Sequence, residues 1–112
     1  MTKPNERLDL LQGTLDMMVM QTLLSGRANG YEIAKAIGRL SEDVLTVDHG
    51  SLYPALHRLE KAGLIAGNWE ISSTNRRARF YRLTAAGRKQ LVRDRSKWEQ
   101  MASAVTRVMG IA

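Results

Sequence analysis

The chain has 112 residues, which is enough for one domain with a modest core and too few for a second independent domain. Its formal net charge of +6 favours a polyanionic partner, although charge alone does not distinguish among nucleic acid, a membrane surface and an acidic protein. The absence of cysteine excludes disulfides and thiolate chemistry, and it favours a reducing compartment. A polar start and the lack of a stretch of roughly 20 apolar residues predict a cytoplasmic protein with no membrane segment.

The first predicted helix spans residues 14–24, where closely spaced apolar side chains cover much of the helix surface and indicate burial on two sides. Thr14 is the expected N-cap, with Asp16 in the first turn near the positive end of the helix dipole. Upstream, Leu8 and Leu11 continue the helical spacing and predict a short N-terminal helix.

Two further helices follow. The second spans residues 31–40, with an inward stripe of Ile33, Ala34, Ile37 and Leu40. The third spans residues 51–62, with an apolar side formed by Leu52, Leu56 and Leu59. Asp48 or Ser51 is the expected cap. Pro54 is expected to be tolerated near the start of this helix, because first-turn amides have no helical partner.

A hairpin and a last helix complete the chain. Residues 65–72 alternate in polarity, residues 74–78 are polar and cationic, and a second strand candidate contains Phe80, Tyr81 and Leu83. Thr84 then caps a long helix, whose heptad-like apolar stripe consists of Leu91, Trp98, Met101, Val105 and Val108. The predicted fold is therefore mainly α with a small β-hairpin. Residues 1–83 form a winged helix-turn-helix, and residues 84–112 add a C-terminal dimerisation helix to the same compact unit.

In a helix-turn-helix protein the second helix of the motif lies in the major groove of DNA, and here that is the third predicted helix. Its outward side chains are Ser51, Pro54, His57, Arg58 and Lys61, with Tyr53 at the border. Taken alone, such a short face is more typical of a solvated amphipathic helix than of a DNA-binding one. Tyr31 and Lys35 of the second helix are expected to touch the DNA backbone, although Tyr31 serves packing equally well.

The hairpin favours nucleic acid over that alternative. Arg76, Arg77 and Arg79 lie at or beside its tip, where like charges repel and bring no evident folding benefit. A wing that grips phosphates or enters a minor groove would use them. The alternative is a soluble hairpin that protects a sheet edge.

Several sequence blocks at consistent spacing resemble the PadR family of transcriptional regulators, in a short form with a single C-terminal helix. They are QGTLD at residues 12–16, GYEI at 30–33, GSLYPALHRLE at 50–60, GLI at 63–65 and NRRARFYRLTAAGR at 75–88. One departure is Asn29, where many relatives have histidine.

The resemblance implies a homodimeric winged-helix repressor of double-stranded DNA, with contacts from the third helix and the wing. The DNA-contacting residues it implies are Ser51, Tyr53, Pro54, His57, Arg58, Lys61, Asn75, Arg76, Arg77 and Arg79. It also implies a dimer interface between the first and last helical segments, with Leu11, Leu15, Met18, Leu91, Trp98, Met101, Val105 and Val108.

Two alternative functions stay open, and a third, an enzyme, is disfavoured. A winged helix can serve as a protein-interaction module, which would carry a neutral or acidic recognition face. Trp98 is a possible site for planar drugs, because drug-sensing family members line a pore with an aromatic residue of the last helix; the competing interpretation is an interface anchor. An enzyme is disfavoured, because Asp48, His49 and Ser51 are explained by helix capping. No metal or cofactor is expected, and no effector can be named.

Overall fold

The computed structural model describes residues 12–111, so the helix predicted around Leu8 and Leu11 lies outside the described residues. In chain order the elements are α1 (Gln12–Leu23), β1 (Ala28–Asn29), α2 (Gly30–Leu40), α3 (His49–Lys61), β2 (Ile65–Ile71), β3 (Arg77–Leu83) and α4 (Ala85–Met109). The strands form one antiparallel sheet in the order β1-β3-β2. The predicted winged-helix architecture with a C-terminal helix is confirmed, and the sheet has one strand more than the predicted hairpin.

Helix α1 is the centre of the core. It packs against α2, α3, α4 and β3. Its buried side chains are Leu15, Val19, Met20 and Leu23, which form one broad buried side, while Leu24 of the second predicted apolar set is 42% exposed. The prediction that Thr14 caps this helix is wrong, because the helix begins at Gln12 and Thr14 lies within its first turn.

Strand β1 and helix α2 meet at Asn29. The Asn29 Oδ1 accepts from the Glu32 amide at 2.8 Å, and the Asn29 amide donates to Glu32 Oε1 at 3.0 Å, which forms a capping box. Asn29 also pairs with Phe80 in the sheet. The residue that departs from the family pattern therefore ends β1 and starts α2.

Helix α3 begins two residues earlier than predicted. Asp48 is its N-cap, and its Oδ1 accepts from the Ser51 amide at 2.8 Å. Pro54 is therefore the sixth helical residue and lies beyond the first turn, so the explanation given for its tolerance is wrong. The Gly50 carbonyl, four residues earlier, receives no helical donor from Pro54. Gly50 is exposed, where such a carbonyl can be hydrated.

The hairpin of β2 and β3 forms the wing. Its register runs from the buried pair Ile65 and Leu83 to the exposed pair Ile71 and Arg77. At the tip, the Ser72 amide donates to the Arg76 carbonyl at 2.7 Å. Asn75 has a φ of 60°, a left-handed conformation that asparagine adopts more readily than most residues. The tip is thus a tight turn held by its own backbone.

The start of helix α4 is hydrogen-bonded to the turn that follows α3. Thr84 is its N-cap, as predicted, and accepts from the Gly87 amide at 3.0 Å. The same hydroxyl donates to the Gly63 carbonyl at 2.8 Å, in the turn that follows α3. At Gly87, a Cβ would lie 2.1 Å from the Leu64 carbonyl oxygen, so the backbones touch there and only glycine fits.

Candidate nucleic-acid interface

Helix α3 presents a mixed polar and aromatic face. Tyr53 is 53% exposed, and its ring stacks on His49 with centroids 5.5 Å apart. Pro54, His57 and Lys61 are also exposed, and Ser51 is half-buried. The exposed groups include an imidazole, a phenol and an ammonium, which suit hydrogen bonds to base edges and phosphates.

Arg58 differs from its neighbours on this face because it is bound to α1. Its Nη2 donates to Asp16 Oδ1 at 2.8 Å, and this hydrogen bond raises the pKa of the Arg58 guanidinium above its ordinary value. The side chain is 38% exposed. A residue predicted only as a DNA contact therefore also joins α3 to α1.

The tip of the wing carries two exposed arginines. Arg76 and Arg77 are exposed. The Arg77 guanidinium lies 5.0 Å from the centroid of the Trp69 ring, which is itself 56% exposed. Within residues 12–111, neither arginine forms an ion pair with a carboxylate. Both can therefore offer a full positive charge to a phosphate.

Arg79 has a different environment. Its Nη2 donates to Glu60 Oε2 of α3, and this hydrogen bond raises the pKa of Arg79. Its guanidinium also lies 5.8 Å from the Trp69 ring centroid and 5.9 Å from that of Tyr81. Burial raises the pKa of the Tyr81 phenol. The expectation that the wing arginines bring no folding benefit is wrong for Arg79.

Lys35 of α2 and Arg27, just before β1, form a third cationic surface. Tyr31 is 62% exposed, so it is not a core residue, and the Lys35 Nζ lies 5.1 Å from the centroid of its ring. Arg27 lies nearby, across the Phe80 ring at 4.5 Å, and pairs with Glu70 at 3.2 Å. The predicted backbone contacts of Tyr31 and Lys35 are therefore sterically accessible.

The stripe on α4 divides into a core part and a surface part. Leu15 of α1 and Leu91 of α4 are only 7% and 2% exposed, since they pack in the core of their own protomer. The prediction that they lie in the dimer interface is wrong, because almost none of their surface is accessible to a second copy. Leu11 lies outside the described residues. The exposed part of the stripe consists of Trp98, Met101, Val105 and Val108.

Trp98 lies beside α1. Together with Met17 and Met18 it lines a shallow cavity between α1 and α4, and Met18 is half-buried. The apolar side chains of this partly open cavity are flanked by Gln21, Arg95 and Glu99, and such an apolar patch with a polar rim suits either a dimer contact or a ligand site.

The described residues contain no cluster of three or more His, Cys, Asp or Glu side chains with the geometry for a metal ion. Asp48 Oδ1 accepts a hydrogen bond from the Ser51 backbone amide as a helix cap, so capping accounts for the acidic residue among Asp48, His49 and Ser51. None of the helices between residues 12 and 111 is long and apolar enough to cross a bilayer.

Residues 19–93 match the model of the transcriptional regulator PadR-like family. The chain belongs to this family. The resemblance found in the sequence is confirmed, and PadR-like regulators act on transcription by binding DNA.

Individual relatives agree with this assignment. The PadR-like chain is 42% identical over 66 residues to the transcriptional regulator Rv3488 of Mycobacterium tuberculosis, which covers 59% of this chain and 61% of that protein. It is similar in structure to a transcriptional regulator from Clostridium thermocellum, with a TM-score of 0.80, 29% identity and coverage of 88% and 96% of the two chains. A PadR-like regulator from Bacillus cereus matches with a TM-score of 0.75, 26% identity and coverage of 90% and 96%.

Two residues of the PadR-like site escaped the sequence interpretation. Glu60 accepts a hydrogen bond from Arg79, and the Trp69 ring lies against Arg77. Glu60 is 19 positions from Arg79 in the sequence, so no local pattern links the two. The register of β2 and β3 pairs Trp69 with Arg79, which is the signal that could have brought the ring and the cation together.

Proposed function

We propose that the protein is a sequence-specific repressor that binds double-stranded DNA as a homodimer. The observation that carries the proposal is the joint position of α3 and the wing. The hydrogen bond between Glu60 and Arg79 joins the hairpin to α3, so we expect Arg77 and the exposed face of α3 to meet one duplex together. A net charge of +6 supplies long-range attraction to DNA.

In this proposal α3 enters the major groove and the wing follows the backbone or the adjacent minor groove. Tyr53, His57 and Lys61 are exposed on α3 for bases and phosphates. Arg76 and Arg77 contact phosphates from the tip, where they carry unpaired charge. The remaining contacts are assigned to Ser51, Pro54, Arg58 and Asn75, and to Tyr31 and Lys35 where α2 crosses the backbone.

The homodimer is proposed to form along α4. Trp98, Met101, Val105 and Val108 are exposed apolar side chains at heptad-like spacing on one helix. Two copies that pair these stripes, with Met18 of α1 at the edge, would present two α3 helices. If these occupy successive major grooves, their centres lie about 34 to 36 Å apart on a near-palindromic site.

Repression requires only that the operator be occupied. A dimer bound over a promoter excludes polymerase by its volume, without a specific contact to it. Activation would require such a contact in addition. We therefore assign repression as the simpler consequence of the surface described above.

The test is binding of the purified protein to the DNA upstream of its own gene and to an unrelated duplex of equal length, at several salt concentrations. Tighter binding to the upstream fragment, with two protomers per site, supports a self-regulating repressor. Equal, weak binding that disappears with salt contradicts the proposal, and it would favour the protein-interaction module.

Trp98 supports a second candidate, a repressor that responds to planar aromatic ligands. The side chain is 45% exposed beside Met17 and Met18, so a flat ring can stack on it between α1 and α4. Fluorescence should be read in a Trp69→Phe variant, where Trp98 is the single tryptophan. Emission unchanged by a panel of such ligands contradicts this candidate.

A further inference from the structure

Arg79 lies where the wing leaves the core. Toward the base of the hairpin, Ile65 and Leu83 are buried. Toward the tip, Ile71 and Arg77 are exposed. Arg79 lies between these pairs, and its hydrogen bond reaches Glu60 in the last turn of α3.

The Arg79 side chain is held on several sides. Its guanidinium lies near the rings of Trp69 and Tyr81, at 5.8 and 5.9 Å from their centroids. It also crosses the backbone of Gly67, where a Cβ would lie 2.7 Å from Arg79 Nε and 2.9 Å from Cζ. Any side chain at Gly67 would therefore displace it. Glycine at this position leaves the space in which the guanidinium reaches Glu60.

The positive charge of Arg79 is already paired with the carboxylate of Glu60. Glu60 and Arg79 are about equally exposed, at 32% and 31% of their side chains. Arg77, two residues away in β3, has no carboxylate partner in the described part of the chain. A cation bonded to a carboxylate releases fewer counterions on meeting a phosphate than an unpaired one does.

We propose that Arg79 and Glu60 form a strut that fixes the wing at a set position relative to α3, and that Arg79 is a positioning residue and not a DNA contact. The proposal rests on the proposed function, binding of DNA through α3 and the wing. Its functional consequence is selectivity. A duplex presents its major groove and adjacent backbone at fixed positions, so α3 and the wing meet both together only if their relative position is held.

For the variant Glu60→Gln, the strut and simple electrostatics predict opposite changes in affinity for the preferred DNA sequence. Glu60→Gln removes a negative charge from a DNA-facing surface, so charge alone predicts tighter binding to every duplex. The strut predicts weaker binding to the preferred sequence, with a loss of about tenfold in the ratio of preferred to scrambled affinity, comparable to the loss of one base contact. Arg79→Gln should lower this ratio equally, and the double variant should lose no more than either single variant.

The decisive variant exchanges the two charges. The full-length protein is first used to enrich a duplex from a randomised pool, and affinities for that duplex and a scrambled one are measured across salt concentrations. Glu60→Arg combined with Arg79→Glu can restore the ion pair while it places a carboxylate on the wing. We expect this exchange to recover the preference of the original protein to within about threefold. Arg79→Gln should leave the salt slope unchanged, whereas Arg77→Gln should lower it by about one unit.

The outcomes separate the two proposals. If the original protein enriches no sequence, the proposed function is overturned, and the positioning role with it. If it enriches a sequence but the exchange binds no better than Arg79→Gln, or if Arg79→Gln lowers the salt slope, the strut alone is overturned and Arg79 contacts phosphate. Melting temperatures of all variants show whether a lost preference reflects unfolding. Recovery by the exchange supports the strut.

Discussion

Arg58 of α3 and Asp16 of α1 are joined by two contacts, Nη2 to Oδ1 at 2.8 Å and Nε to Oδ2 at 3.4 Å. The next residues of α1, Met17 and Met18, line the cavity beside Trp98. One helix therefore touches both the proposed DNA-reading helix and the proposed dimer helix.

The Asp16–Arg58 pair should contribute modestly to stability. We expect Asp16→Asn to lower the free energy of unfolding by about 1 kcal/mol, because the pair is bidentate but partly exposed. Urea denaturation measures this change. The pKa of Arg58 is raised by its hydrogen bond to Asp16, so this contribution is present at neutral pH and is lost as the pH rises through that high value. The loss should therefore be equal at about pH 6 and about pH 8.

Asp43→Asn is the matched control for Asp16. Asp43 is exposed in the turn after α2 and forms no ion pair within residues 12–111. The same chemical change there should alter stability by less than about 0.5 kcal/mol. An equal loss in the two variants would show that the pair with Arg58 contributes nothing.

Arg77 should act as a phosphate contact. Arg77→Ala is expected to weaken binding to preferred and scrambled duplexes alike and to lower the salt slope by about one unit, because one released counterion is lost. Arg107→Ala removes the same charge from the last turn of α4, far along the chain from the wing, and should leave the slope unchanged. Unaltered affinity and slope in Arg77→Ala would remove the wing tip from the interface.

Val105 should be part of the dimer interface. Val105→Asp places a carboxylate in the apolar stripe, where burial against a second copy costs about 3 kcal/mol or more and raises the dimer dissociation constant over about a hundredfold. Val105 is 53% exposed, so the folded protomer should tolerate the change. Sedimentation at several concentrations measures the equilibrium. Ser103→Asp, on the same helix outside the stripe, is the control, and equal dissociation in both variants would contradict the proposed face.

Asn29 should stabilise the start of α2. Asn29→Ala removes the side-chain half of the capping box and is expected to lower the free energy of unfolding by about 1 kcal/mol. Asn29→Asp keeps an acceptor oxygen and should retain most of the stability. Thermal or urea unfolding compares the two. Equal losses would mean that the cap hydrogen bond with Glu32 contributes little.

The sequence predicts those helices and strands in which apolar residues recur at a regular spacing. The stripe of Ile33, Ala34, Ile37 and Leu40 predicts α2, and Ile33 and Ile37 are buried, but the inward position of Leu40 is wrong, because its side chain is 67% exposed at the end of the helix. Strand β1 has only two residues, and no period can be read from so short a segment. The start of α1 was misplaced because Thr14 suits a cap by type, while the helix begins at Gln12, and residue type fixes a helix end only to within one or two positions.

The sequence predicts which residue types lie at the site, but it does not predict which residues they contact. The exposure of Lys61 and Arg77 follows from pattern. That Arg58 binds Asp16, 42 residues away, depends on how α1 and α3 cross, which no local pattern contains. Leu91 matched the heptad spacing of the dimer stripe, yet the same spacing also places a residue toward the core of its own protomer.

The close backbone contact at Gly87 makes α4 a lever arm. Its first turn is bonded to the turn after α3 through Thr84, and its far end carries the exposed stripe. The middle of the stripe lies about 18 residues, or about 27 Å, from the start of α4, so a change of about 10° in how two copies cross shifts the base of the arm by about 5 Å. That distance exceeds the rise of one base pair, about 3.4 Å. The crossing angle of the two arms would thus determine which spacing of half-sites the protein accepts.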